Sequence, residues 1–359
     1  MVGILIAGAV ALFCVLVGTP LAIRAFRKQG LGQLIQADLP DSHQTKRGTP
    51  TIGGAVIILG AVIGYLGVHL VSGERVRFTS SGLLVMGTMV ATGLVGFVDD
   101  ILKIRNQRSL GLTATAKFAG QAACAVALAL GAWYWADAFR GVSFIRPLYG
   151  TQLPLLVFLV WVFLLLSGTT NGVNLTDGMD GLASGSTVLV ASAYVVIAFW
   201  QFRHLCSAPP LNSLGCYRFP AGDSPQDLAI IAAATMGAVA GFLWWNAPPA
   251  RIFMGDTGSL GLGGTLAALA LFTNTQLLLL VLGGLYVVET LSVILQIASF
   301  RYLHRRVFKM APIHLHFELS EWPEFTVIVR FWILAGLAVA FGLGLFYAEF
   351  LARGGGSSG

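Results

Sequence analysis

The sequence predicts an all-α integral membrane protein, and three observations predict it. Of its 359 residues, 56% are hydrophobic and only 11% charged, with a mean hydropathy of +0.79; soluble domains carry roughly 25% charged residues. The apolar residues fall in runs of about 17 to 25 residues, the length of a membrane helix, and not in the short alternating stretches of a membrane barrel. Lysine and arginine are divided unevenly between alternate connections, the asymmetry that orients membrane helices.

Ten runs qualify as transmembrane helices. The first, near 3–23, is too long and too lightly flanked to be a cleaved signal peptide. The next three lie near 51–71, 81–98 and 115–135; the third run of the ten is followed directly by two aspartates, Asp99 and Asp100. Runs near 153–169 and 182–200 follow, separated by a glycine-rich stretch over 168–185 that can break a helix or re-enter the membrane. The run near 227–245 leads through a second such stretch, 254–264, into one near 258–274. Runs near 277–300 and 327–350 complete the set. Residues 1–350 therefore read as a single polytopic domain without an internal repeat, and 351–359, ending in "GGGSSG", as a flexible tail.

Fifteen lysines and arginines fall in one set of connections and seven in the other. The positive-inside rule puts the richer set in the cytosol and both termini outside. The net charge of +6 is thus concentrated on the inner face, suited to anionic lipid headgroups or phosphorylated substrates. The membrane lipids are a partner on this reading, and no nucleic acid is expected. Of the four cysteines, Cys14 and Cys124 lie in apolar runs as packing residues. Cys206 and Cys216 share a predicted exterior loop, where they are either joined in an oxidising compartment or two free thiols.

The conspicuous polar segments all fall on the cytosolic side. They are "SHQTKRGTPTIGG" (42–54), "DDILKIRNQRSLG" (99–111), "NGVNLTDGMDG" (171–181), "WWNAPPARIFMGDTGSL" (244–260) and "FKMAPIHLHFE" (308–318). Asp99, Asp100, Asp177, Asp180 and Asp256 place five carboxylates near apolar helix ends. Uncompensated, such a group repels itself and takes up protons. A hard cation such as Mg²⁺, bound through one or two carboxylates and phosphate oxygens, relieves it. Lys46, Lys103 and Lys117 supply point charges for phosphate. Each element also has an ordinary reading: an Asp-Asp pair as a solvated helix end, "DGMDG" as a turn, the histidines and aromatics as interfacial residues. Their convergence on one face points to an enzyme of Mg²⁺-assisted phosphoryl transfer with its active site on the cytosolic face.

"FVDD", "NGVNLTDGMDG", "RIFMGDTGSL" and "MAPIHLHFE" resemble the polyprenyl-phosphate N-acetylhexosamine-1-phosphate transferases. Within that superfamily, "TKRGTPTIGG" and "MAPIHLHFELSEWPE" are similar to the phospho-N-acetylmuramoyl-pentapeptide transferases, and the likeness runs in order through nearly all of residues 1–350. The resemblance implies a Mg²⁺-dependent enzyme of the bacterial plasma membrane, homodimeric, and the target of uridine-type nucleoside inhibitors. It would pass phospho-MurNAc-pentapeptide from UDP-MurNAc-pentapeptide to undecaprenyl phosphate, a polyprenyl phosphate, yielding lipid I and UMP. By the same resemblance, Asp256 binds the metal, and Asp99 and Asp100 serve the lipid phosphate and the metal. Asn174, Asp177 and Asp180 lie in the nucleotide motif. Phe253 stacks on uracil, with Asn246 and Lys46 around the same base. Thr51 and Gln296 line the sugar or inhibitor pocket, and Lys103 and Lys117 lie near the phosphates. The family has three consecutive histidines where this chain has His314, Leu315 and His316. His314 keeps the implied catalytic position and His316 the binding one, while any role of a middle imidazole is lost. A sister transferase that carries GlcNAc-1-phosphate stays open, as does a membrane transporter with Glu289 as its intramembrane ionisable residue.

Overall fold

The computed structural model describes residues 1–28, 30, 48–72, 76–107, 111–206 and 215–354. Lys46 lies outside these residues. The elements are α1 (Val2–Lys28), α2 (Gly54–Ser72), α3 (Ser80–Arg105), α4 (Ala114–Tyr134), β1 (Gly141–Ser143), β2 (Pro147–Gln152), α5 (Leu155–Thr176) and α6 (Leu182–Arg203). They continue with α7 (Pro225–Asn246), α8 (Gly255–Phe272), α9 (Leu278–Leu282), α10 (Gly284–Leu303), α11 (Ile313–Glu318) and α12 (Glu324–Gly354). The protein is an all-α integral membrane protein; among the described residues, nine helices are long and apolar enough to cross a membrane.

The expected run near 258–274 corresponds to α8, which is not one of the nine. Its first ten residues include five glycines and Asp256. Physically it needs no lipid-facing apolar side chains, because every residue from Asp256 to Phe272 is buried inside the bundle. α3 and α5 pack on its flanks, while α1, α2, α6 and α7 form the adjoining layer and α12 closes against α6. Glycine permits the closest approach. A side chain at Gly96 would overlap the Asp256 carbonyl, so a bare backbone there lets α3 lie against the first turn of α8.

Helix starts follow capping chemistry. Thr79 Oγ1 accepts from Gly82 N at 3.0 Å ahead of α3, and Thr113 Oγ1 from Ala116 N at 3.2 Å ahead of α4. Ser224 Oγ accepts from Gln226 N at 3.3 Å, with Pro225 in the first turn of α7. The expected run near 277–300 is broken instead, with Gly283 between the end of α9 at Leu282 and the start of α10. The glycine-rich stretch 168–185 breaks as a turn at Asp177–Gly181 between α5 and α6. The short antiparallel pair β1–β2, which no membrane-helix periodicity reveals, pairs Gly141 with Gln152 and Ser143 with Pro147. It is fastened to the α8–α9 connection by Leu277 N donating to the Ser143 carbonyl at 2.9 Å.

At the same end of the bundle, Cys206 and Cys216 are joined by a disulfide. Arg146 clamps the joined segment, donating to the Cys216 carbonyl at 2.7 Å and to Glu349 at 2.9 Å. Of the expected tail 351–359, residues through Gly354 continue α12, with Arg353 paired back to Glu349 one turn earlier, and the rest lies outside the described residues.

Candidate functional site

The other end of the bundle gathers the C-terminal ends of α3, α5, α7 and α10 with the N-terminal ends of α2, α4, α6 and α8, as an up-and-down chain requires. The described residues of all five polar segments singled out in the sequence map there. Asp99 and Asp100 occupy the last turns of α3 and are 2% and 3% exposed. Successive residues on a helix point about 100° apart, and the two carboxylates accordingly face different neighbours. Asp99 Oδ1 accepts from Leu112 N at 2.8 Å, and its Oδ2 meets Lys103 Nζ at 2.7 Å. Asp100 turns toward α8. Its Oδ1 accepts from Asp256 N at 3.0 Å, and its Oδ2 from Thr257 N at 2.9 Å and Thr257 Oγ1 at 2.6 Å. These amides open a helix and would otherwise lack partners, so Asp100 holds the first turn of α8 in place.

Asp256 is the point of convergence. Its Oδ1 accepts from Asn174 Nδ2 at 2.9 Å, and the same amide reaches Ser259 Oγ at 2.8 Å. Its Oδ2 is contacted by two ammonium groups, Lys103 Nζ at 3.2 Å and Lys117 Nζ. Asp99, Asp100 and Asp256 each offer an oxygen within 4.8 Å of the others, a constellation able to hold a metal ion. An all-oxygen carboxylate donor set suits a hard cation rather than a soft one.

The Asp177–Gly181 turn flanks this cluster. Burial, followed by the negative charges of Asp256, Asp100 and Asp180, pushes the Asp177 carboxyl well above the usual carboxylate range. Asp180 is 3% exposed and accepts from Ala250 N at 2.9 Å, tying the turn to the loop before α8. Two strips of backbone are zipped together on the far side. Phe253 N donates to the Pro50 carbonyl at 2.8 Å, Gly53 N to the Phe253 carbonyl at 2.9 Å and Gly54 N to the Met254 carbonyl at 2.8 Å. This pairing fixes the backbone of half-buried Phe253 and sets Thr51 beside Asp100 and Gly255.

Other expected residues also make contacts within the chain. Asn246 has one internal partner at each end of its amide, accepting from Ser184 Oγ at 2.7 Å and donating to the Ile252 carbonyl at 3.0 Å. Gln296 clasps the segment after α10, accepting from Val307 N and Phe308 N at 3.0 Å and donating to the Phe308 carbonyl at 3.0 Å. His316 Nδ1 accepts from Lys309 N at 3.1 Å. His314 is fully buried, and Leu315 beside it is packed at 5% exposure. Sequence reasoning missed Thr257 and Ser259; both lie in the quoted "MGDTGSL", where only the hydrogen bonds distinguish them from turn residues.

A family model described as glycosyl transferase family 4 matches residues 82–274, which include Asp99, Asp100, Lys103, Lys117, Asn174 and Asp256. A phospho-N-acetylmuramoyl-pentapeptide-transferase from Frankia casuarinae is 57% identical over 99% of both chains. Proteins of the same name from Saccharopolyspora erythraea and Nocardia farcinica are each 50% identical, covering 98% and 97% of this chain and 98% of their own lengths. With identity at that level from end to end, the chain belongs to the phospho-N-acetylmuramoyl-pentapeptide-transferase family.

Proposed function

We propose that this chain transfers phospho-MurNAc-pentapeptide from UDP-MurNAc-pentapeptide to a polyprenyl phosphate, undecaprenyl phosphate in the bacterial membrane, forming lipid I and UMP. The observation that carries the reading is the double engagement of Asp256 Oδ2 by Lys103 and Lys117 at the polar end of an apolar bundle. An anionic pyrophosphate entering there meets two ammonium groups, and an anionic lipid headgroup reaches the same level from the membrane. In this reading the polar end faces the cytosol, both termini are exterior, ten segments cross the bilayer and the enzyme works as a homodimer.

The carboxylate donor set fits Mg²⁺. Asp256 and Asp99 would hold it, with Asp100 fixing the start of α8 behind them. Bound there, it would neutralise pyrophosphate charge. The remaining work belongs to the chain. An oxygen of the lipid phosphate attacks the β-phosphorus; that P–O bond forms as the bond from the β-phosphorus to the UMP oxygen breaks, and UMP leaves with the electron pair. A phosphate monoester with a second pKa near 6 is mostly dianionic at pH 7, so Asp99 orients the attacking group and no strong base is required. Lys103 and Lys117 release Asp256 to neutralise the transferred and leaving phosphates. Phe253 stacks on the uracil, with Asn246 and Lys46 bordering it and Asn174, Asp177 and Asp180 reading the nucleotide. Thr51, Gln296 and His316 line the sugar side, and uridine-type nucleoside inhibitors occupy the same place.

The test is UMP release from UDP-MurNAc-pentapeptide, measured with and without polyprenyl phosphate and Mg²⁺, and with UDP-GlcNAc as a competing donor. Release that needs both the lipid and the cation is expected. No release under any condition overturns the reading, and preference for UDP-GlcNAc reassigns it to a sister transferase. Inversion at the β-phosphorus supports direct attack, whereas retention requires a phospho-enzyme.

A further inference from the structure

Glu289 has no place in the site built above, yet it is a carboxylate in the middle of the bundle. It lies in the first half of α10 at 0% exposure. An ionisable group inside a membrane helix is costly unless paired. Its polar contact is with His314: Oε2 lies 3.1 Å from Nδ1, an ion-pair distance, while neither carboxylate oxygen and neither ring nitrogen makes a hydrogen bond. The adjacent Ser292 hydroxyl donates to the Glu289 backbone carbonyl at 2.6 Å and leaves the carboxylate alone.

An ionised carboxylate 3.1 Å from Nδ1 favours a proton on that nitrogen, because a bare lone pair there would face the negative oxygen. Nε2 is then the atom left to act. It too is buried and without a hydrogen-bond partner, and it bears on Gly178, where any side chain would overlap it. Gly178 is exposed and stands between Asp177 and Asp180 in the turn beside Asp256. A line of contact thus runs from a carboxylate deep in α10, through one imidazole, to the backbone of that turn.

We propose that Glu289 is a positioning residue for transfer: it fixes His314 with Nδ1–H directed inward, so that Nε2 braces the Asp177–Gly178 turn against which the nucleotide-sugar binds. The proposal rests on the transferase reading above. It assigns His314 a supporting contact beneath the site, since an imidazole at 0% exposure reaches a substrate only through the turn that covers it.

Glu289→Gln keeps the volume but offers an amide that no longer enforces one tautomer. Its kcat for UMP release is expected to fall about 10- to 100-fold, the usual cost of losing a group that orients a functional imidazole, with its thermal midpoint no lower. His314→Gln should lose a similar factor, and the double variant no more than the worse single, as for residues acting as a unit. Gly178→Ala crowds Nε2 without touching the buried charge and should reproduce the loss. Spectra of ¹⁵N-imidazole-labelled protein should place the His314 proton on Nδ1, with the signal shifted in Glu289→Gln. Full kcat in Glu289→Gln or Gly178→Ala, losses that multiply in the double variant, or a His314 without a proton on Nδ1 each overturns the proposal. A wild-type chain that releases no UMP while keeping the Nδ1–H signal overturns the transferase reading instead.

Discussion

Asp227 and Asp256 are both buried carboxylates in the first turn of a helix, one at each end of the bundle. Each gains from the N-terminal end of the helix dipole, but their partners differ in kind. Asp227 Oδ2 accepts from the Tyr65 hydroxyl at 3.0 Å, Thr79 N at 2.9 Å and Thr79 Oγ1 at 2.8 Å, and its Oδ1 lies 3.0 Å from His69 Nε2. Those partners are short or ring-bearing side chains and backbone, all buried. Asp256 holds one rigid amide, Asn174, and two long ammonium stems whose side chains are 32% and 20% exposed. A carboxylate enclosed by fixed donors joins helices; one met by flexible, partly exposed cations can exchange them for another charged group. Buried acid residues in this membrane protein are therefore told apart by what their partners can do, and burial by itself does not sort them.

The largest break in that comparison should come from Asp256→Asn. UMP release is expected to fall by about a thousandfold or more, by analogy with the loss of a preorganised electrostatic group, while the thermal midpoint changes little. Asp227→Ala should do the reverse. It leaves His69 and the Thr79 amide without their acceptor and is expected to cost about 3–5 kcal/mol of stability, read by unfolding in detergent, with turnover per folded molecule preserved. Lys117→Met tests whether the cations are exchangeable. With Lys103 still on the same oxygen, a loss of about a hundredfold in kcat/KM is expected, and a protein that unfolds instead would place Asp256 in the same class as Asp227.

The smallest effect concerns Asp177, whose carboxyl is raised by burial and by the charges of Asp256, Asp100 and Asp180. The folded chain binds this proton more tightly than the unfolded chain does. The associated stability is complete below the ordinary carboxylate range and is lost as pH rises through the elevated value. Metal-free protein should therefore weaken as pH increases from about 4, and Asp177→Asn should flatten that slope in thermal melts across pH.

Much of this was legible without coordinates, for reasons that differ by residue. The apolar runs were readable because a bilayer demands an uninterrupted helical length. Asp99, Asp256, Lys103 and Lys117 were readable because charge next to such runs is costly and so draws notice. The divergence of Asp99 and Asp100 followed from helical pitch. The internal hydrogen bonds of Asn246 and Gln296 were not visible: an amide looks the same in sequence whether or not it also clasps its own chain. Asp227 and His69 were passed over because their partners lie far apart in the chain, Thr79 being 148 positions from Asp227.

By itself the sequence determined the membrane class, the positions of nearly all the helices, the face on which the acidic and basic motifs collect, and the resemblance to a transferase family. These properties depend on local composition and on motif order, both of which a one-dimensional string preserves. Only the tertiary structure decided that α8 is the enclosed helix of the bundle, that Asp100 caps it, that two lysines share one oxygen of Asp256, and that Glu289 reaches Gly178 through His314. Those facts depend on which helix ends meet, and that is set by bare-backbone contacts such as Gly96 on Asp256, whose partners the sequence separates by more than a hundred residues.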